Sequence, residues 1–171
     1  MNEVSADHLF SEIAGLIRDG RKTVNRAVNS AIVETYWQIG RLIVEDEQKG
    51  QAKAEYGKAV LKSLSARLTA EFGRGFTVTN LRYMRQFYVY FQVPGSSKPI
   101  HHAVSDEFEI RDAVRHELSW THYRHLLRVD DEEARRWYLN EAIEENWSTR
   151  ALERQINSFY YERLLSSKNP K

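Results

Sequence analysis

Between Val24 and Leu42, apolar side chains recur at steps of three and four residues on two sides of one helix at once. No other feature of the chain limits the fold as much. Val24, Val28, Ala31, Ile32, Thr35, Ile39 and Leu42 share one face, while Val33, Trp37 and Val44 lie nearly opposite, with Gly40 between the two. A helix turns about 100° per residue, so these are separate stripes, and a helix apolar on both sides is covered on both. Either it is the central helix of the domain, or the second stripe, Val33/Trp37/Val44, is the interface to another subunit or a protein partner. "EDEQKGQ" then breaks the periodicity and ends the helix at about Gly50; an earlier helix, near Ala6 to Arg18, closes at Asp19-Gly20 or bends there into the long one. Period-two alternation is nearly absent along the chain. The expected fold class is therefore all-α, a helical bundle with little or no sheet.

A second helix is expected from about Tyr56 to Phe72, with Val60, Leu61, Leu64, Leu68 and Phe72 toward the core and Lys58, Lys62 and Arg67 toward water. The stretch "GRGFTVTN" follows it. Gly73 and Gly75 allow a sharp turn, and Thr77 or Thr79 can cap the next helix by accepting its free N–H groups. This outlines a helix-turn-helix. In the helix after the turn, Leu81, Met84, Tyr88 and Phe91 fall on one face with Phe87 beside them, and these are expected in the core. The opposite face shows Thr79, Arg82, Tyr83, Gln86 and Tyr90, with Arg85 at the boundary. Arginine and glutamine hydrogen-bond base edges in pairs, and tyrosine and threonine reach phosphates, so this face has chemistry suited to a nucleic-acid groove. An ordinary solvated helix face carries the same residue types.

Charge is sorted along the chain although the net is only +1. Residues 51–91 hold seven bases and two acids, whereas residues 130–147 hold seven acids and two bases. Such sorting suits a polyanion at one surface and a cationic or capping partner at the other, unless folding brings the two segments together. With 171 residues the chain suits one domain or two small subdomains sharing a core. The absence of cysteine excludes a disulfide framework, a thiolate metal site and a cysteine nucleophile. "MNEVSADHLF" is not a signal peptide, and the apolar runs are too short to span a bilayer, so a soluble cytoplasmic protein without membrane contact is expected.

The periodicity lapses over "VPGSSKPIHHAVSDEFEIRDAVRHE", which suggests a loop or linker over residues 93–117. Helical order resumes with Ser119 as the cap for "WTHYRHLLRV", where Trp120, Tyr123, Leu126 and Leu127 suit burial. Asp130 and Glu133 resemble a capping box at the start of the acidic helix, and Ser148 caps a last helix in which Leu152, Ile156, Phe159 and Arg163 share a face. The organisation expected is thus long helices and a helix-turn-helix-like unit over 1–92, a three-helix segment over 118–165 packed upon it, and the start of a linker at 166–171.

The stretches "ETYWQIG", "YGKAVLKSLSARLTAEFGRGFTVTNLRYMRQFY", "LSWTHYRHLLRV" and "YLNEAIEENWSTRALERQINSFYYERL", in this order, resemble the N-terminal region of the YhcG family, over roughly residues 8 to 165. In these bacterial proteins a helical, winged-helix-like region precedes a PD-(D/E)xK nuclease domain of the Holliday-junction-resolvase type. The resemblance implies the DNA-targeting or assembly half of a Mg²⁺-dependent nuclease, with DNA as partner and the nuclease domain absent from this chain. That chemistry needs a carboxylate pair and a lysine held by strands. The only local look-alike, Glu47-Gln48-Lys49 after Asp46, sits in a helical pattern, so no catalytic residue and no cofactor are assigned here.

His122 and His125, three apart on a helix, could share a metal, but no HExxH pattern accompanies them, and surface or packing histidines are the simpler reading; His101, His102 and His116 lie in or near the loop. Two roles remain. In one, Arg74, Thr79, Asn80, Arg82, Tyr83, Arg85 and Gln86 meet DNA, mostly through phosphate. In the other, the chain is an oligomerisation or partner-binding module built on Val33, Trp37 and Val44 together with the acidic helix of 130–147, and the arginines only solubilise. The resemblance favours the first.

Overall fold

The computed structural model describes residues 3–49, 54–91 and 117–168. They form α1 (Glu3–Lys49), α2 (Ala54–Phe72), α3 (Val78–Tyr90), α4 (Trp120–Leu126), α5 (Glu132–Glu144), α6 (Thr149–Asn157) and α7 (Tyr160–Lys168). The fold is all-α, as the periodicity predicts. A wing needs a β-hairpin, and there is no strand among the described residues. The expected loop over 93–117 falls almost entirely outside them, together with His101, His102 and His116.

α1 is one unbroken helix of 47 residues, about 70 Å long. Of the two outcomes expected at Asp19-Gly20, closure does not occur and the early helix runs on into the long one, because a glycine costs a helix only about 1 kcal/mol and the helical residues on both sides outweigh it. Only the second half of α1 is packed. Val33 and Trp37 are almost completely buried, with Ile43 and Val44 close behind. This corrects the expected assignment of the two stripes. Val33, Trp37 and Val44, the candidate interface, are core residues of the chain itself, and Val24, Val28, Ile32 and Leu42 on the other side are exposed. The reason is shape: Val33 and Trp37 flank Gly40, where the missing side chain lets α3 approach the α1 backbone. A Cβ at Gly40 would stand 2.7 Å from the Met84 carbonyl carbon and 3.0 Å from Tyr88 Cβ.

α3 is the hub of two hydrophobic clusters. Leu81 and Met84 join Ile43 of α1 and Leu61 of α2 in the smaller one. Phe87 joins Val33, Trp37, Tyr123, Leu126, Tyr138 and Leu152 in the larger one. Aromatic rings knit that cluster: Phe87 lies 4.6 Å from Tyr123 and 5.4 Å from Trp120 between centroids, and Trp37 lies 4.9 Å from Tyr88. The Trp37 indole donates to the Phe91 carbonyl at 3.1 Å, which satisfies its polar edge. Along α2, Leu61 is buried, Val60, Leu64 and Leu68 are half-buried, and Phe72 is exposed rather than in the core.

The C-terminal half contains four helices where three were expected. α5 begins one residue later than the sequence suggested: Asp131, not Asp130, caps it by accepting the Ala134 N–H at 2.6 Å. Ser148 caps α6 as expected, accepting from Ala151 at 3.2 Å. The last helix is broken at Ser158-Phe159, where Phe159 adopts φ +52°. The buried Tyr138 hydroxyl accepts the Tyr161 N–H at 3.1 Å and so ties down the start of α7. After this bend Leu152 remains buried while Phe159 and Arg163 are exposed, so the four residues expected on one face do not share it. α7 continues through Ser166 and Ser167, where a linker was expected.

Arg135 is the buried cation of this half. Its Nη1 donates to the Val129 carbonyl at 2.6 Å and to the Asp130 carbonyl at 3.3 Å, and its guanidinium lies 4.0 Å from the centre of the Tyr90 ring. One side chain therefore joins the α4–α5 link to the end of α3.

Candidate nucleic-acid interface

The turn between α2 and α3 has the geometry its glycines suggested. Gly73 and Gly75 adopt φ +82° and +126°. The Gly73 N–H closes α2 on the Thr69 carbonyl at 3.0 Å, and Thr77 opens α3 by accepting the Asn80 N–H at 3.2 Å. Arg74 stands between the glycines in solvent.

The helix face expected to meet a groove is largely roofed. α4 lies along it, and three contacts at matching intervals hold it there. The Trp120 indole donates to Asn80 Oδ1 at 3.2 Å, the Arg124 guanidinium lies 5.0 Å from the centre of the Tyr83 ring, and Gln86 Nε2 donates to the Leu127 carbonyl at 3.2 Å. Asn80 also donates to the Gly75 carbonyl at 2.6 Å, so both ends of its amide are engaged. Arg85 pairs with Glu47 of α1 at 2.7 Å. The same bond uses the carboxylate of the one nuclease-like tripeptide in the sequence. Of the seven candidate residues, Arg74, Thr79 and Arg82 remain exposed; Asn80, Tyr83, Arg85 and Gln86 serve as joints between elements.

The structure adds Arg124, which sequence reasoning missed. It is exposed on α4 over the Tyr83 ring, and that placement depends on how α4 docks, a long-range fact without a local signal. Among the described residues no carboxylate pairs with Arg74, Arg82 or Arg124. The acidic segment does not neutralise the basic one: no ion pair among the described residues joins an acid of 130–147 to a base of 51–91. Within it Glu132 pairs only with Arg136 of the same helix, at 2.8 Å. The exposed Arg128 is 3.3 Å from Glu153, a surface pair of little energetic weight.

His122 and His125 are packing residues. His122 Nδ1 accepts the Ser119 N–H at 3.1 Å, which leaves the proton on Nε2 to be donated to the Trp147 carbonyl at 3.0 Å. Burial lowers its pKa below the ordinary histidine value, against the raising effect of the Trp147 carbonyl. His125, with Nδ1 3.6 Å from Glu153, is also lowered, by burial first, while Glu153 opposes and Arg128, His122 and Arg124 reinforce the effect. Among the described residues no three histidine or carboxylate side chains gather as a metal site would require. Nor is any helix among them long and apolar enough to cross a membrane.

No solved structure matches the chain. Against curated proteins it is 39% identical over 170 residues to the protein named "Putative nuclease YhcG" from Escherichia coli (strain K12), covering 91% of this chain and 45% of that protein. The chain thus spans less than half the length of the relative it matches. The family model described as the DUF1016 N-terminal domain matches residues 12–163, which takes in most of α1, α2, the turn, the roofed helix and the C-terminal helices as far as the start of α7. By that match the chain belongs to the DUF1016 N-terminal domain family.

Proposed function

We propose that this chain is a non-catalytic DNA-targeting module, working in the cytoplasm, that grips phosphate and does not read bases. The observation that carries the reading is the exposed, unneutralised set Arg74, Thr79 and Arg82, extended by Arg124 of α4. Lysine and arginine at phosphates release counterions, which gives affinity without sequence preference. Asn80 and Gln86, the side chains best suited to base edges, are engaged inside the fold. The name of the Escherichia coli relative supports a nuclease context, in which cleavage belongs to sequence that this chain does not match.

The test is fluorescence anisotropy of labelled duplex and branched DNA at several salt concentrations. Binding is expected to weaken steeply with salt, and an Arg74→Ala/Arg82→Ala/Arg124→Ala variant to lose roughly one unit of log–log salt slope per contact removed. Gln86→Ala, which loosens a joint without touching phosphate, leaves the slope unchanged. Salt-insensitive binding, or full binding by the triple variant, refutes the proposal.

A further inference from the structure

Eight large apolar side chains between Leu9 and Ile32 are exposed on α1, and Leu16 and Phe10 are more than 70% exposed. Stepping 100° per residue, Phe10, Ile17, Val24 and Val28 lie roughly 180° from the Val33/Trp37/Gly40 face that packs on α3. This is a second apolar face, unrelated to the core of the chain. A water-exposed helix is marginal on propensity alone and gains its stability from covering such a face.

We propose that the occupant is a second copy of this chain, packed antiparallel along residues 9–32 across a two-fold axis at Gly20-Arg21. An isologous contact requires that if residue i meets residue j, then j meets i. The stripe largely obeys this rule about Gly20-Arg21, the exception being Leu16, whose mirror position holds Asn25. Ile17 mirrors Val24, Ile13 mirrors Val28, and the large Phe10 mirrors the small Ala31; all six are exposed. At the axis Gly20 faces Arg21, and the space around Gly20 is open, with nothing within 4 Å of a Cβ there. The other bases of this segment, Arg18, Lys22 and Arg26, step around to the side away from the stripe, so the two copies do not press them together. At roughly 100 Å² per half-exposed apolar side chain, the stripe offers roughly 800 Å² per copy, the share each partner gives to an interface of standard size.

Sedimentation of the 171-residue chain is expected to give twice the mass of one chain, and Ile17→Glu/Val24→Glu to give the single mass with the core still folded, since both positions lie away from it. The chain has no cysteine, so orientation is readable by cross-linking. When Ile17→Cys and Val24→Cys chains are mixed and oxidised, the mixed disulfide forms and the Ile17→Cys chain alone forms none. A monomer at hundred-micromolar concentration overturns the proposal and gives the face to a different occupant. A dimer that Ile17→Glu/Val24→Glu leaves intact overturns it too, as does efficient self-linking of Ile17→Cys, which would make the pairing parallel.

Discussion

Gly40→Ala separates the packing of α1 from its helical propensity. Alanine is the better helix former by about 1 kcal/mol, so propensity alone makes the change stabilising. The new methyl, however, would sit 2.7 Å from the Met84 carbonyl carbon and 3.0 Å from Tyr88 Cβ, where carbon atoms need about 3.5–4.0 Å. The Met84 atoms are backbone and cannot turn aside, so α1 and α3 must part by roughly 1 Å. Both hydrophobic clusters cross that seam, and a gap of this size forfeits about a quarter to a half of each contact well. Overpacking costs about 1–3 kcal/mol and sometimes more; with rigid backbone as the obstacle the upper end applies, leaving a net loss of about 2 kcal/mol. Gly15 supplies the control within the same helix, since nothing lies within 4 Å of a Cβ there, and Gly15→Ala is expected to stabilise by up to about 1 kcal/mol. Urea and thermal unfolding followed by circular dichroism and by tryptophan fluorescence measure both. For a chain of this size the melting temperature should fall about 4–8 °C for Gly40→Ala and rise slightly for Gly15→Ala. If the two variants are equally stable, the close approach of α1 and α3 is wrong.

Two further outcomes follow from buried polar groups. Arg135→Ala removes two charge-assisted hydrogen bonds to carbonyls and the stacking on Tyr90, and is expected to cost about 3 kcal/mol in urea unfolding, with Arg135→Lys recovering only part of it because an ammonium lacks the planar fork. The histidines make stability fall with acid. Their folded pKa values lie below the unfolded value near 6.5, so as pH drops through 6.5 the unfolded chain takes up protons first, and stability declines until the folded pKa is reached; above that window it is flat. His122→Gln, which cannot titrate, is expected to shallow the slope of unfolding free energy between pH 7.5 and 5.5, and an unchanged slope would exclude His122 as its source.

The helices, the glycine turn and the apolar face of α3 were legible because each depends on residues a few positions apart. Thr77 and Ser148 stand at helix starts for the local reason that their oxygens accept free N–H groups. What could not be read was which side of α1 meets α3. Both stripes are apolar, and the choice turns on Gly40 meeting the backbone at Met84, a contact between distant segments. The candidate DNA face has the same limit. Asn80, Tyr83 and Gln86 have chemistry fit for a groove, and that chemistry serves equally well to hold α4. The break at Phe159 was hidden because its cause, the Tyr138 hydroxyl reaching Tyr161, comes from another helix.

Because α4 is bolted to α3 at Asn80, Tyr83 and Gln86, the two ends of the molecule share a fate. The guanidinium of Arg82 is displayed at a fixed angle only while α3 is gripped from both sides, by α1 beneath and by α4 above. Local opening of the last fifty residues would free that grip, so a ligand that needs the ridge rigid is linked thermodynamically to the folding of helices it never touches. Hydrogen exchange in α5 and α6 should therefore slow when a polyanion is held some distance away on the edge of α3.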